Sequence, residues 1–184
     1  SVTILQPDVL ASSLVAFSSY VGGWSVSCNG STDGSATVEA SGGNGTYTYN
    51  WSNGQSGQDL QNVGTGTYTC NINDQYGCTE PVPFTVLLTE PPELTISLSP
   101  VDITCFGGSD GSAEILASGS TPAYNYTWNT NPVQNGPVLS GVIAGTYICD
   151  ILDYNNCSTS KSVTILQPDV LQSTLITTSS YVGG

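Results

Sequence analysis

The sequence predicts an all-β chain of tandem two-sheet sandwich modules. Three observations predict it. The chain repeats itself, its apolar residues alternate over short runs bounded by Gly, Pro, Asn and Asp, and no stretch carries the periodicity of an amphipathic helix.

The repeat sets the frame. The decapeptide SVTILQPDVL occupies Ser1 to Leu10 and returns unchanged at Ser162 to Leu171. SSYVGG at Ser18 to Gly23 returns at Ser179 to Gly184 with the same spacing. A shorter repeat lies inside. CNGSTDGSA from Cys28 matches CFGGSDGSA from Cys105, and Tyr47, Tyr49 and Trp51 match Tyr124, Tyr126 and Trp128 in the same register. GTYTCNINDQYGC from Gly66 matches GTYICDILDYNNC from Gly145, a slightly wider spacing that marks a short insertion in the second copy. Cuts before Asp8, Pro92 and Asp169 give two whole modules, 8–91 and 92–168, flanked by the end of one module (1–7) and the start of another (169–184). The first module is the longer, with extra residues around SSYVGGW ahead of its first cysteine.

Within the first module, alternation predicts strands at Leu10–Phe17, Trp24–Cys28, Ser35–Ala40, Thr46–Trp51, Gln58–Val63, Thr67–Asn73 and Val82–Leu88. A period of two puts Ala36, Val38 and Ala40 on one face, Tyr47, Tyr49 and Trp51 on another, and Tyr68, Cys70 and Ile72 on a third. Tyr49, Trp51, Tyr68 and their counterparts Tyr126, Trp128 and Tyr147 are the predicted structural core, since each large ring buries about 150–250 Å². Gly-Thr-Tyr ahead of the sixth strand resembles the tyrosine corner of immunoglobulin-like folds, and Trp51 their third-strand tryptophan. The predicted class is therefore tandem immunoglobulin-like β-sandwich modules in an extended array, with a reduced sheet.

Composition narrows the function. Fourteen acidic residues against one lysine, with no histidine, give a net charge of −13. With no basic patch, binding to nucleic acid or to an anionic membrane surface is not expected. No apolar run nears the roughly 20 residues a membrane helix needs. No signal peptide is visible, as expected of a window cut from the middle of an array.

Six cysteines at matched positions suggest an oxidising environment. Cys28 and Cys105 are expected at the end of a strand before a D-G turn, Cys70 and Cys149 inward on the sixth strand, and Cys78 and Cys157 after the following turn. A strand of about ten residues spans roughly 33 Å, and disulfide Cα atoms lie only about 4.4–6.8 Å apart. In an immunoglobulin-like topology this separates the first and third positions and favours Cys28–Cys70 and Cys105–Cys149. A second option ties Cys28 to Cys157 of the next module. A metal centre is not expected from cysteines that lack both histidine and C-x-x-C spacing.

Asp33 and Asp110 fall in G-x-x-D-G turns, and Asp74 and Asp153 in the later turns. Turn chemistry explains all four, because Asp caps local backbone amides. The sharper reading makes them Ca²⁺ ligands at module junctions; no other cofactor is expected. Catalysis has little support: a general base would have to be a carboxylate, and the repeated acids sit in turns. Lys161, a candidate for an isopeptide bond, is replaced by Val82 in the other module.

The residues also carry a family likeness. CNGSTDGSATVEASGGNGTYTYNWSNG, then GTYTCNINDQYGCT, then TILQP resembles the SprB repeat, a module of giant surface adhesins in gliding Bacteroidota. The ordered set C-x-G, D-G-S, Y-x-W-S-x-G, G-T-Y and D-x-x-G-C carries the likeness, which covers essentially the whole chain. The G-T-Y to D portion also resembles PKD domains. The second module departs at Asn129 to Gln134 and at Asn156, all turn positions. The resemblance implies a non-enzymatic outer-surface protein, exported by the type IX route and acting in adhesion or gliding motility. It also implies pairing of the first and third cysteines, either Cys28–Cys78 or the junction bond.

Two functions follow as expectations. The favoured one is a stalk or filament whose partners are flanking copies of the same modules and surface polysaccharide or another cell-surface component. Directly joined modules give a stiff array, and Pro91-Pro92 and Gln167-Pro168 limit bending at the junctions. The alternative is a ligand-binding module that takes carbohydrate on exposed Tyr or on the Tyr20 to Trp24 insert, although Trp24 reads more plainly as a packing residue between modules. If the array is the natural state, the segments Val2 to Leu5 and Leu171 to Thr177 are incomplete on their own.

Overall fold

The computed structural model describes residues 2–176. Ser1 and the stretch 177–184, with Thr177 and the second SSYVGG, lie outside them. Thirteen strands and no helix form among the described residues. In the first repeat these are β1 (Ala11–Phe17), β2 (Gly34–Ser41), β3 (Tyr47–Trp51), β4 (Asp59–Val63), β5 (Gly66–Asp74) and β6 (Phe84–Leu88). In the second they are β7 (Thr95–Val101), β8 (Gly111–Ser118), β9 (Asn125–Trp128), β10 (Gln134–Asn135), β11 (Val138–Val142), β12 (Gly145–Leu152) and β13 (Ser158–Ile165). Four sheets result, ordered β1-β2-β4, β3-β5-β6, β11-β8-β7 and β10-β9-β12-β13.

The chain falls into two compact units. The first is the chain up to Thr95 together with Ala117–Asn125 and Ile151–Thr159; the second is Ile96–Leu116, Tyr126–Asp150 and the chain from Ser160. In the first unit, two three-stranded sheets close on one core, an open β-sandwich. Val38 and Leu60 come from one sheet, Trp51, Ile72 and Leu88 from the other, and all are buried. Ala36, Val38 and Ala40 are buried together, as period-two alternation requires. Trp51 meets the edge of Phe84 at 6.3 Å and donates its indole N–H to the Gly57 carbonyl at 3.0 Å. In the second unit Ile115, Leu139, Trp128, Cys149 and Ile165 are buried, and Trp128 donates to Gly136 O at 3.1 Å.

The tyrosines lie at the rim of the core. Tyr49, Tyr68, Tyr126 and Tyr147 are half-buried, so the two tryptophans and the aliphatic residues form the centre. Tyr68 Oη donates to Gly64 O at 3.1 Å and Tyr147 Oη to Ile143 O at 2.9 Å, each reaching a few residues back along its own chain. That is the tyrosine-corner arrangement. The D-G-S motif has a steric cause. A Cβ on Gly34 would stand 2.6 Å from Val63 O, and one on Gly111 2.9 Å from Val142 O. The glycine lets β2 and β8 lie against β4 and β11 at that point.

The expected strand over Trp24–Cys28 does not form, so the first repeat has six strands rather than seven. The amides of Ser25 and Val26 both donate to the single carbonyl of Thr89, at 2.9 and 3.2 Å, which leaves no ladder to extend. Gly22 and Gly23 precede them in the left-handed region, with φ of 93° and 82°. Val26 nevertheless anchors the segment in full burial. Cys28, and Cys105 after β7, accordingly lie in irregular chain and not at a strand end.

The repeated decapeptide is found in two environments. At its second occurrence Val163 and Ile165 close β13 and are buried. At its first, the identical Val2 and Ile4 are in no strand and are both 91% exposed. The relation inverts at the other end of the motif, where Leu10 is 5% exposed in the first core and Leu171 is 96% exposed.

Replacing Trp51 by Ala removes an enclosed ring and is expected to cost about 3–5 kcal/mol. Tyr68→Phe deletes only the corner hydrogen bond and is expected to cost about 0.5–1.5 kcal/mol. Urea unfolding followed by fluorescence and circular dichroism measures both; equal losses would contradict this division of core and rim.

Candidate functional site

One covalent link stands out in the first unit. Cys28, the first cysteine of the first repeat, is bonded to Cys157, the third cysteine of the second, with Cα atoms 5.7 Å apart. This corrects the pairing that strand geometry favoured. Cys28–Cys70 and Cys105–Cys149 are not formed, nor is Cys28–Cys78, and Cys70, Cys78, Cys105 and Cys149 are free thiols. The physical reason is position. Cys70 and Cys149 do point inward on β5 and β12, but they are fully buried in the core, where burial pushes both thiols up. Cys28 lies in the irregular segment that replaces the expected strand.

Two local scaffolds hold the bonded cysteines. Around Cys28, Ser27 N donates to Asp33 Oδ1 at 3.0 Å, Ser31 N to Cys28 O at 3.0 Å, and Gly30 N to Glu90 Oε2 at 2.8 Å. Around Cys157, the buried Asp153 caps the turn. Its carboxylate accepts from Cys157 N at 2.8 Å, Thr121 N at 3.0 Å and Ser120 Oγ at 2.6 Å, while its own amide donates to Cys157 O at 3.0 Å. A carboxylate that satisfies several buried donors at once makes a rigid turn.

The extra residues of the longer repeat sit against this link. Gly23 N donates to Tyr20 O at 3.1 Å and Tyr20 N to Trp24 O at 2.9 Å, closing a turn. Asn155 Nδ2 reaches Val21 O at 3.2 Å and Thr121 Oγ1 at 3.1 Å. Trp24 is half-buried and folds over Gly22, where a Cβ would stand 2.6 Å from its indole nitrogen. An open depression of about 460 Å³ lies beside the disulfide, lined by Asn29, Glu93, Ser120, Asn156 and Ser158 among others, none of them aromatic.

The four aspartates singled out from the sequence are all turn acceptors. Asp74 takes Asn44 N at 3.0 Å and Tyr76 N and Cys78 N at 2.9 Å. Asp110 takes Thr104 Oγ1 at 2.6 Å. Burial works against the charge on Asp33 and Asp74, but the donors around each outweigh it and hold both carboxyls below the usual range. The Thr104 hydroxyl is the main influence lowering Asp110. Among the described residues no three His, Cys, Asp or Glu side chains gather closely enough to share a metal ion.

One recurring device escaped the sequence reading. Gln55 brackets Gln61, accepting from its N–H at 3.0 Å and donating to its carbonyl at 2.8 Å. Gln134 does the same with Ser140, at 3.0 and 2.9 Å. The two glutamines stand at the same spacing as the two Gly-Thr-Tyr motifs, Gly66 and Gly145, which was the available signal.

The SprB repeat model matches residues 25–56 and 97–133. No curated protein matches. Among solved structures, the amphioxus IgVJ-C2 molecule is 20% identical with a TM-score of 0.34, over 65% of this chain and 88% of that one. The N-terminal eight Ig domains of Down Syndrome Cell Adhesion Molecule isoform 1.30.30 are 17% identical with a TM-score of 0.37, over 88% of this chain and 25% of that one. Scores this low carry no argument; the sandwich rests on the sheets and corners described above.

Two outcomes follow. In native protein a thiol reagent is expected to label Cys78 and Cys105 quickly, and Cys70 and Cys149 only in denaturant; mass mapping that finds all four equally reactive would contradict the placement. For pH, unfolded Asp titrates near about 3.9. With folded values below that, the stability from Asp33, Asp74 and Asp110 is complete above about pH 3.9 and is lost as pH falls through the lower folded values. Thermal melts are expected to show that acid limb, and Asp74→Asn to make it shallower.

Proposed function

We propose that this chain, which carries SprB repeats, is a structural and adhesive segment of a long bacterial cell-surface protein. One observation supports this most directly: a single decapeptide sequence is buried at one end in one occurrence and at the other end in the other. Its first half completes a sandwich through Val163 and Ile165, and its second half starts one through Leu10. A sequence of that kind is a joint, the last strand of one module running directly into the first core residue of the next. With boundaries at 8–91 and 92–168, the two occurrences bracket the pair of modules, the first opening 8–91 and the second closing 92–168. The bare Val2, Ile4, Leu171 and Ile176 are then the surfaces that flanking modules cover.

The acidic surface suits an exposed array, since like charge keeps neighbouring strands of protein apart. The disulfide suits an extracellular location. Export by the type IX route and a role in gliding are the finer form of the proposal, and rest on the family likeness alone. Turn capping is favoured over calcium for the four aspartates, each of which accepts an N–H or O–H donor. Carbohydrate binding is less favoured, because the Trp24 indole is folded over its own turn and the depression beside the disulfide has no aromatic platform.

Electron microscopy of the intact protein is expected to show long regular fibres with a repeating module. Isolated compact particles would overturn the array, and a clear glycan-array signal from the chain would move the function to ligand binding.

A further inference from the structure

Cys78 and Cys105 are the repeat counterparts of the two cysteines that are bonded to each other. Cys105 aligns with Cys28, and Cys78 aligns with Cys157. The backbone hydrogen bonds that hold their turns repeat those of the bonded pair. Thr104 N reaches Asp110 Oδ1 at 3.3 Å as Ser27 N reaches Asp33, and Gly108 N donates to Cys105 O at 2.9 Å as Ser31 N does to Cys28. Gly107 N meets Gln167 Oε1 at 3.0 Å where Gly30 N meets Glu90. On the other side, Cys78 N and Asp74 Oδ1 are 2.9 Å apart, and Asp74 N and Cys78 O 3.0 Å, repeating Cys157 and Asp153.

What differs is cover. Cys157 is 8% exposed, whereas Cys78 and Cys105 are exposed thiols. The aromatic neighbours Tyr76 and Phe106 are 73% and 54% exposed, so both half-sites present apolar surface next to an accessible sulfur.

We infer that Cys105 and Cys78 are the two halves of a second disulfide joint, each awaiting the complementary cysteine of another repeat. Cys105 takes the third cysteine of a following repeat, and Cys78 the first cysteine of a preceding one. Every module is thereby stapled to the next, and the staples overlap along the chain. The reaction joins two thiols through a new S–S bond. It releases two protons and passes two electrons to a disulfide oxidant, such as oxidised glutathione, through a mixed-disulfide intermediate. The inference rests on the array reading, but it is tested without it.

In the isolated chain the complementary cysteine for Cys105 is Cys78 of a second copy. Incubated with a glutathione redox couple, the 184-residue protein is expected to form a head-to-tail ladder on a non-reducing gel, in steps of 19.0 kDa. Peptide mapping of the dimer should recover Cys105 linked to Cys78. Cys105→Ser and Cys78→Ser should each remain monomeric, and an equal mixture of the two should stop at one heterodimer. Cys70→Ser should leave the ladder intact. No ladder, Cys105–Cys105 or Cys78–Cys78 dimers, an internal Cys78–Cys105 bond, or a ladder through Cys70 or Cys149 would each overturn the inference. A failure here would leave regular fibres in the microscope untouched, and their absence would leave the ladder untouched.

Discussion

A buried carboxylate decides where the third cysteine of each repeat can be. Asp153 gathers amides from two separate stretches of chain, Thr121 on one side and Cys157 on the other, and Asp74 gathers Asn44 and Cys78 in the same way. The turn after β5 or β12 is therefore clamped to the loop after β2 or β8. The cysteine at the end of that turn is presented in one fixed position, which at Cys157 is the position bonded to Cys28. Without the acid, several backbone N–H groups in a tight turn would lack acceptors, and leaving such groups unpaired is costly.

The clamp matters because each core is small. Each of the two compact units is near the size where a single hydrophobic core is marginal. Here one tryptophan and a few aliphatic side chains fill the space between short sheets, with tyrosines sealing the edge. Hydrogen bonds that recur at the same repeat positions do the rest: the tyrosine corner, the glutamine bracket and the indole to a turn carbonyl. Closing a long loop by a disulfide adds stability on the order of 2–5 kcal/mol.

Much of this was legible in the sequence, and the illegible parts share one cause. Alternation located β2 and β5 and their buried faces, because a two-residue period leaves only one way to bury Ala36, Val38 and Ala40 together. The Gly-Thr-Tyr motif announced the corner. Trp24–Cys28 misled, because its alternation is that of a strand while its amides converge on Thr89 O, a contact from the far end of the module. The pairing that strand length favoured for Cys28 failed for the same reason, and the junction alternative, Cys28–Cys157, is the bond that forms. Spacing within one repeat says nothing about a residue at a sequence separation of 129, and the strand-length argument assumed a strand that does not form. The placement of four tyrosines at the rim was likewise a matter of how closely two sheets approach, which no periodicity encodes.

The Cys28–Cys157 bond also has a mechanical meaning. Tension applied along the polypeptide from before Cys28 to after Cys157 passes through the sulfur bridge and bypasses the chain between them. That stretch, with a sequence separation of 129, would otherwise release roughly 430 Å of contour on unravelling. Pulled between those two points, the chain keeps its length, because the folded part inside the loop bears almost none of the load.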